Sequence, residues 1–374
     1  MGTAPEKSEQ ELLKELTEFD ETKVGVKGLV DSGIAKIPNI FVFPKRNQES
    51  RNNNKSSNVN DPCQLPIIDF DGIEKNRQSR RETVEQIRQA MEKWGFFQMV
   101  NHGVPVNSLN GLLRSIKEFH EQPEEVRKGY YSRDHTKKIK YYTTGDMYQT
   151  KAAQWRDTLS LDFDDSDNLD LHSLPELCRD GIEEYIYCLT GVRNQLSELL
   201  SEALGLEKDH LGNMECFEIR RLLCHYYPPC PEPDLTLGIM KHSDPYYLTI
   251  LLQDSIGGFQ VFHKNQWLDV PPIEGSLLVN AGDLLQLVTN DKFKSVEHRV
   301  IAGRTGPRIS AACFMYPDVD NQFKPFGPIK ELLSETNPAK YRETSIIDYL
   351  RYYAGKGLDG VKSLPHFQLI PAEK

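Results

Sequence analysis

Tyr246-Tyr247-Leu248-Thr249-Ile250-Leu251-Leu252-Gln253 is a run of aromatic, β-branched and aliphatic residues, bounded by Asp244-Pro245 before it and by Asp254 and Gly257-Gly258 after it. Such a run between turn residues reads as a strand. It belongs to a series. Residues 219–227, 258–262, 267–270, 276–280, 284–288, 296–302 and 307–316 have the same character and are divided by Gly, Pro, Asn and Asp. Closely spaced short strands with turn signals between them predict a sandwich or barrel in the half of the chain after Glu215.

The first half has a different texture. Ser8-Glu9-Gln10-Glu11 has the pattern of a capping box, and Leu12, Leu13, Leu16 and Phe19 follow at helical spacing. Residues 23–44, with Gly25, Gly28, Gly33, Pro38 and Pro44, read as an extended, irregular lead-in. Residues 47–60 hold one apolar residue, Val59, and cannot bury enough surface to offset their ordering entropy, so they read as a flexible linker. Short strands are expected at 66–70 and 95–100. Between them Ser79-Arg80-Arg81-Glu82 should cap a helix carrying Val84, Ile87, Met91 and Trp94. The longest helical pattern runs from about 175 to 204 and stops at Gly205, and helical character returns around 346–353.

Composition narrows the function. The chain has 374 residues, with 45 Lys+Arg against 55 Asp+Glu, a formal charge of -10 that argues against a nucleic-acid scaffold. No apolar run approaches the roughly 18 residues that a membrane span needs. The polar start is unlike a secretory signal, and seven cysteines without a repeating pattern read as reduced thiols, so a cytoplasmic enzyme or binding protein is expected.

His242-Ser243-Asp244 places an imidazole and a carboxylate two residues apart on an extended chain, where both side chains point to one side. Alone, His-x-Asp is a weak signal. His298 follows 54 residues after Asp244 inside another β-prone run. Two histidines and one carboxylate can hold one face of a metal ion and leave other positions open, the ligand set of non-haem iron(II) oxygenases. Ten residues further on, Arg308-Ile309-Ser310 puts a planar fork of donors and a hydroxyl on one strand face, a grip for a carboxylate. Other candidates have plainer readings. His102 in Asn101-His102-Gly103 reads as a structural hydrogen-bonding residue, and Cys224, Cys230 and Cys313 as packed thiols. The acidic run from Asp162 to Asp170 lacks the central Gly and closing Glu of a calcium loop.

With these motifs in this order, the sequence resembles the plant iron(II)/2-oxoglutarate-dependent dioxygenases. It is most similar to the 1-aminocyclopropane-1-carboxylate oxidase homologue subgroup, which includes desacetoxyvindoline 4-hydroxylase. The resemblance extends through Phe19-Asp20-Glu21-Thr22-Lys23, Trp94-Gly95-Phe96-Phe97-Gln98, Trp155-Arg156-Asp157-Thr158, His225-Tyr226-Tyr227-Pro228-Pro229-Cys230-Pro231 and Asn290-Asp291-Lys292-Phe293. It implies an α+β fold: a double-stranded β-helix (jelly-roll) core flanked by helices, with an N-terminal helical extension. The implied division is an extension and linker at 1–62, a mixed α/β region at 63–214, the jelly-roll core at 215–320 and a C-terminal helical segment at 321–374.

The resemblance further implies that His242, Asp244 and His298 hold iron(II). Arg308 and Ser310 would bind the distal carboxylate of 2-oxoglutarate with help from the Tyr227 phenol. No catalytic side chain is expected beyond the metal centre. His225 departs from the Asn found in much of the wider family, which leaves open whether position 225 binds the co-substrate. Tyr246, Phe314 and Tyr316 are expected to line an aromatic substrate pocket without a charged clamp of its own. The implied reaction takes 2-oxoglutarate and dioxygen, with ascorbate as reductant, and hydroxylates or oxidatively demethylates a specialised metabolite, releasing succinate and carbon dioxide. The expected partner is an aromatic or polycyclic small molecule, with no nucleic acid and no membrane, and the chain is expected to be a monomer. Two other readings stay open: ascorbate-dependent oxidation of 1-aminocyclopropane-1-carboxylate, and a non-catalytic jelly roll that binds a small molecule.

Overall fold

The computed structural model describes residues 9–43, 64–74, 76–163, 170–318, 320–357 and 361–369. The expected linker at 47–60, the Ser8 cap and most of the acidic run before Asp170 lie outside them. The strands are, in chain order, β1 (Ile67–Asp69), β2 (Phe96–Val100), β3 (Ile139–Thr143), β4 (Asp157–Asp162), β5 (Ile219–Tyr227) and β6 (Leu237–His242). They continue with β7 (Leu248–Gln253), β8 (Phe259–His263), β9 (Gln266–Asp269), β10 (Leu277–Ala281), β11 (His298–Ile301) and β12 (Arg308–Met315).

An eight-stranded sheet has the order β1-β2-β10-β7-β12-β5-β4-β3, and a four-stranded sheet the order β6-β11-β8-β9. From β5 onward the chain passes back and forth between them: β5, β7, β10 and β12 join the large sheet, and β6, β8, β9 and β11 the small one. That alternation winds the chain into a double-stranded β-helix, the jelly roll of antiparallel strands.

The large sheet is covered on its outer side. Helix Val106–His120 lies against β5 and β12, and helix Glu176–Ala203 packs on that helix. The long helix buries Ile182, Tyr185, Ile186, Leu189, Leu196, Leu199 and Leu200, the stripe that a period of about 3.6 residues places on one face. With helices on one side and the small sheet on the other, all of β12 is buried, which is why its second half, Ala311 to Met315, is apolar on both faces rather than alternating.

Four local expectations are corrected. Residues 284–288 are not a strand but part of a helix, Asp283–Val288. A short buried apolar run carries no periodicity to distinguish the two, and Gly282 provides the extended residue at which the helix begins. The lead-in at 23–44 is more regular than expected, with a helix at Gly25–Asp31 and a 3₁₀ turn at Asn39–Phe41. The amides of Val26 and Lys27 donate to the buried Asp157 carboxylate at 2.8 and 2.7 Å. Gly25 is required there, because it has a φ of 71° and a Cβ would overlap Tyr141 and Asp157. Helix Arg77–Lys93 is capped by Asn76, whose side chain accepts from the Gln78 amide at 2.8 Å, so Ser79 lies inside the first turn. Finally, β3, β4 and β6 are not among the strands expected from the sequence. Thr158 on β4 turns its hydroxyl to His225 in the interior, so the usual inward-apolar alternation does not mark that strand.

Behind the large sheet, His120 is fully buried with its ring stacked on Tyr226 at 5.1 Å, and its Nδ1–H donates to the Ile116 carbonyl at 2.8 Å. Burial pushes this imidazole down to about 3. Protonation therefore favours the unfolded chain, whose histidine titrates near 6.5: the stabilisation is complete above that value and is lost as pH falls toward 3. In the metal-free chain this residue alone should remove about 2 kcal/mol of stability between pH 6.5 and 5. Denaturant unfolding at pH 7, 6 and 5 measures it, and His120→Phe should flatten the slope.

Candidate active site

His242 closes β6 and His298 opens β11, and the two are paired in register across the small sheet. Strand pairing thus brings together histidines that are far apart in sequence, with ring centroids 4.2 Å apart. Asp244 reaches the same point from the loop after β6. Its Oδ1 lies 3.6 Å from His242 Nε2 and 3.5 Å from His298 Nε2. One ligand atom from each residue lies within 4.8 Å of the others.

The second atom of each group is already engaged. His242 Nδ1–H donates to the Met240 carbonyl at 2.8 Å and His298 Nδ1–H to the Val296 carbonyl at 3.2 Å, so both Nε2 lone pairs face the centre. Asp244 Oδ2 accepts from Thr249 Oγ1 at 2.6 Å and Asn280 Nδ2 at 2.8 Å, leaving Oδ1 free. Burial, followed by the neighbouring His298, pushes the His242 imidazole well down, so it is neutral and able to donate a lone pair. Burial alone would raise the Asp244 carboxyl, but His298 and His242, with the bonds from Asn280 and Thr249, hold it below its usual value. Two imidazoles and one carboxylate, aimed inward, fit a divalent iron ion.

The loop that carries Asp244 is held by the helix that had been expected as a strand. The Asp283 amide donates to the Asp244 carbonyl at 2.7 Å and the Leu284 amide to the Tyr246 carbonyl at 3.2 Å. A Cβ at Gly282 would overlap the Tyr246 carbonyl, so only glycine permits this approach. The Asp283 carboxylate accepts from Ser243 Oγ at 3.1 Å and Tyr349 Oη at 2.7 Å, while Tyr353 Oη donates to the Ser243 carbonyl at 3.1 Å. Helix Ile346–Lys356 therefore braces the residue between the two ligands.

Across the cavity, β12 pairs with β5 so that Arg308 faces Tyr227, Ser310 faces His225, Ala312 faces Leu223 and Phe314 faces Arg221. Arg308 donates from Nε to the Gly257 carbonyl at 2.8 Å, from Nη1 to Ser310 Oγ at 2.9 Å and from Nη2 to Gln253 Oε1 at 3.0 Å. Of the five N–H groups of a guanidinium, one then remains on each terminal nitrogen, the fork that a carboxylate accepts. Tyr227 lies under the same guanidinium, 4.9 Å from ring centroid to Cζ, and its buried Oη has no hydrogen-bond partner among the described residues. A buried hydroxyl left open beside an available fork fits a bound carboxylate oxygen. His225 Nδ1 meets Thr158 Oγ1 at 3.0 Å, and burial, reinforced by the charges of Arg156 and Arg308, holds its imidazole neutral.

The two sheets hold a cavity between them. His242, His298, Ile239, Phe259 and Val300 line it from the small sheet, and Tyr227, Arg308, Ser310, Leu251, Ala312 and Phe314 from the large one. Tyr246 and Tyr316 stand behind that lining. They stack on each other at 4.7 Å, and Tyr246 is tilted against Phe314 at 4.9 Å. A charged residue lies behind this end, outside the cavity lining. Arg221 donates to Tyr246 Oη at 3.0 Å and pairs with Asp162, which also meets Lys140 Nζ at 3.2 Å. Thr249, Asn280, Asp283 and Arg221 were not read from the sequence; a lone Asn closing the apolar run 276–280 is the one local signal among them.

A jelly roll with two histidines and a carboxylate at its mouth, facing an Arg–Ser pair, defines a non-haem iron oxygenase with a keto-acid co-substrate. Residues 219–317 match the family model of the 2OG-Fe(II) oxygenase superfamily, and residues 65–176 match that of the non-haem dioxygenase in morphine synthesis N-terminal region. The chain is 50% identical to 1-aminocyclopropane-1-carboxylate oxidase homolog 1 of Arabidopsis thaliana, over 95% of this chain and 96% of that one. It is 46% identical to deacetoxyvindoline 4-hydroxylase of Catharanthus roseus, over 97% of this chain and 90% of that one. The crystal structure of JOX2 in complex with 2OG, Fe and JA superposes with a TM-score of 0.79 at 29% identity, covering 93% of this chain and 98% of that one. The chain belongs to the iron(II)/2-oxoglutarate-dependent oxygenase family and is an enzyme that uses those two cofactors. Among the described residues no helix is long and apolar enough to cross a membrane.

Proposed function

We propose that this oxygenase hydroxylates, or oxidatively demethylates, a plant specialised metabolite while 2-oxoglutarate is converted to succinate and carbon dioxide. One observation carries the reading: the inward-facing Nε2, Nε2 and Oδ1 of His242, His298 and Asp244 look across one cavity at the open fork of Arg308. When bound, iron(II) and 2-oxoglutarate supply the activation of dioxygen that an unactivated C–H bond requires. The three ligand residues hold the metal, and Arg308, Ser310 and Tyr227 fix the distal carboxylate of the co-substrate. Leu251, Val300, Ala312 and Phe314 keep water from the reacting carbon. Ascorbate belongs to the proposal as the reductant, and so does a monomeric chain in the cytoplasm.

Phe314, with Tyr246 and Tyr316 behind it, forms the substrate wall in this reading. Because Asp162 neutralises Arg221, the wall favours a flat, neutral aromatic or polycyclic molecule. Tyr246→Ala or Tyr316→Ala should change substrate choice or regioselectivity, while uncoupled consumption of 2-oxoglutarate continues because iron ligands and Arg308 are untouched. Native product at the native rate from both variants would place these tyrosines outside the recognition surface.

The wider proposal is tested by expressing the active chain and Asp244→Ala in a plant leaf and comparing metabolites without preselection. A metabolite that gains oxygen from isotopically labelled dioxygen, or loses a methyl group, only with the active chain supports it. Identical metabolite profiles would sink it.

A further inference from the structure

Arg156 stands immediately before β4 and is only 8% exposed. Its neighbour Asp157 turns outward, accepting from Val26, Lys27 and Thr143, so strand alternation puts Arg156 on the cavity side with Thr158 and His225. In the β4–β5 register Asp157 is opposite Tyr226 and Thr158 opposite His225, which carries Arg156 to the level of Tyr227. Tyr227 therefore has a strand with an arginine on each side: Arg308 on β12, and Arg156 leading into β4.

The two arginines differ in one respect. Arg308 has three chain acceptors, and Arg221, further along the same face, has Asp162 and Tyr246. Among the described residues the Arg156 side chain donates no hydrogen bond, and its Nε is buried without an acceptor. A buried cation without an acceptor is unfavourable unless a ligand completes it, and the buried, open hydroxyl of Tyr227 beside it asks for the same kind of ligand.

We propose that Arg156 is a second cationic ligand of 2-oxoglutarate, approaching the co-substrate from the β4 side of Tyr227 while Arg308 approaches from the β12 side. This rests on the reading that 2-oxoglutarate occupies the Arg308 end of the cavity. The primary substrate is the less fitting occupant, because Arg156 is level with Tyr227 and Arg308, whereas the aromatic wall begins at Phe314, further along β12. Position 225, the next inward residue along β5 from Tyr227, carries a neutral imidazole bonded to Thr158 and so adds no third charge beside the two cations.

Calorimetric titration of the anaerobic, iron(II)-loaded chain with 2-oxoglutarate tests this, together with the melting temperature of each unliganded chain. Arg156→Gln should raise the dissociation constant about tenfold or more, as expected for losing a charge-assisted hydrogen bond at a desolvated site. Arg156→Lys, which keeps the charge without the fork, should recover part of that loss. Unliganded Arg156→Gln should melt at or above the wild-type temperature, since it removes a charge that the chain leaves unpaired. A dissociation constant within twofold of wild type would overturn the proposal. A lowered melting temperature of the unliganded variant would overturn it too, because Arg156 would then be holding the fold. Arg308→Lys in the same series separates this proposal from the reading beneath it. If wild type binds no 2-oxoglutarate, the underlying reading falls and takes this one with it; if Arg308→Lys weakens binding and Arg156→Gln does not, only this one falls.

Discussion

Asp244→Ala should lose more than about a hundredfold in iron(II)-dependent turnover, given that changes to residues merely supporting a metal ligand already cost about 10–100-fold. Asp244 supplies the one anionic ligand, and its Oδ1 is the atom toward which both Nε2 atoms point, at 3.5 and 3.6 Å. Without it, two imidazoles remain, and two of three ligands with no anion among them hold the ion poorly. The fold should persist. Thr249 and Asn280 lose their acceptor, at about 1–3 kcal/mol for an unsatisfied buried group, but a buried carboxylate is removed with it. Such a cost is tolerable against the roughly 5–15 kcal/mol of stability usual for a globular protein. Asn280→Ala gives the graded counterpart, leaving all three ligands and the Thr249 bond but removing one of the two donors that orient the Asp244 carboxylate, with an expected loss of about 10–100-fold in iron affinity. Both are read by anaerobic iron(II) titration beside circular dichroism. Wild-type turnover in a folded Asp244→Ala chain would remove the metal assignment.

Arg308→Lys should raise the half-saturating concentration of 2-oxoglutarate about tenfold to a hundredfold, equivalent to about 1.5–3 kcal/mol for a charge-assisted bond. The guanidinium does two things at once. It is pinned by the Gly257 carbonyl, Ser310 and Gln253, and it still presents one N–H from each terminal nitrogen. An ammonium keeps the charge but cannot reproduce the three anchors and the fork together. Gln253 and Gly257 would also lose a donor. Initial rates of succinate formation against 2-oxoglutarate concentration provide the check, and an unchanged half-saturation would count against the role of Arg308.

What could be read in advance follows from where each signal lies along the chain. His242, Asp244, His298, Arg308 and Ser310 are legible because each is a residue type with few alternatives, on or beside a strand, in a fixed order and spacing. Their convergence depends on pairing between β6 and β11, and a spacing pattern is the trace that such pairing leaves in a sequence. Thr249 and Asn280 leave no such trace. They are ordinary polar residues on β7 and β10, and only the sheet register brings them to Asp244. The helix Asp283–Val288 was hidden because its buried leucines carry no period, yet its first amides hold the metal loop. Arg156 and Arg221 were illegible for a related reason. An arginine near a strand reads as solvated until the neighbouring strands show that its face is the interior.

If this site couples dioxygen to a keto acid through iron(II), the coupling is visible in the purified chain. Succinate formed and dioxygen consumed are measured with iron(II) and 2-oxoglutarate, beside a parallel reaction with ascorbate and 1-aminocyclopropane-1-carboxylate. Equimolar succinate and dioxygen turnover is expected in the first, abolished by Asp244→Ala, and no ethylene in the second. Ethylene without consumption of 2-oxoglutarate, or no dioxygen uptake in either reaction, would show that the site does not work in this way.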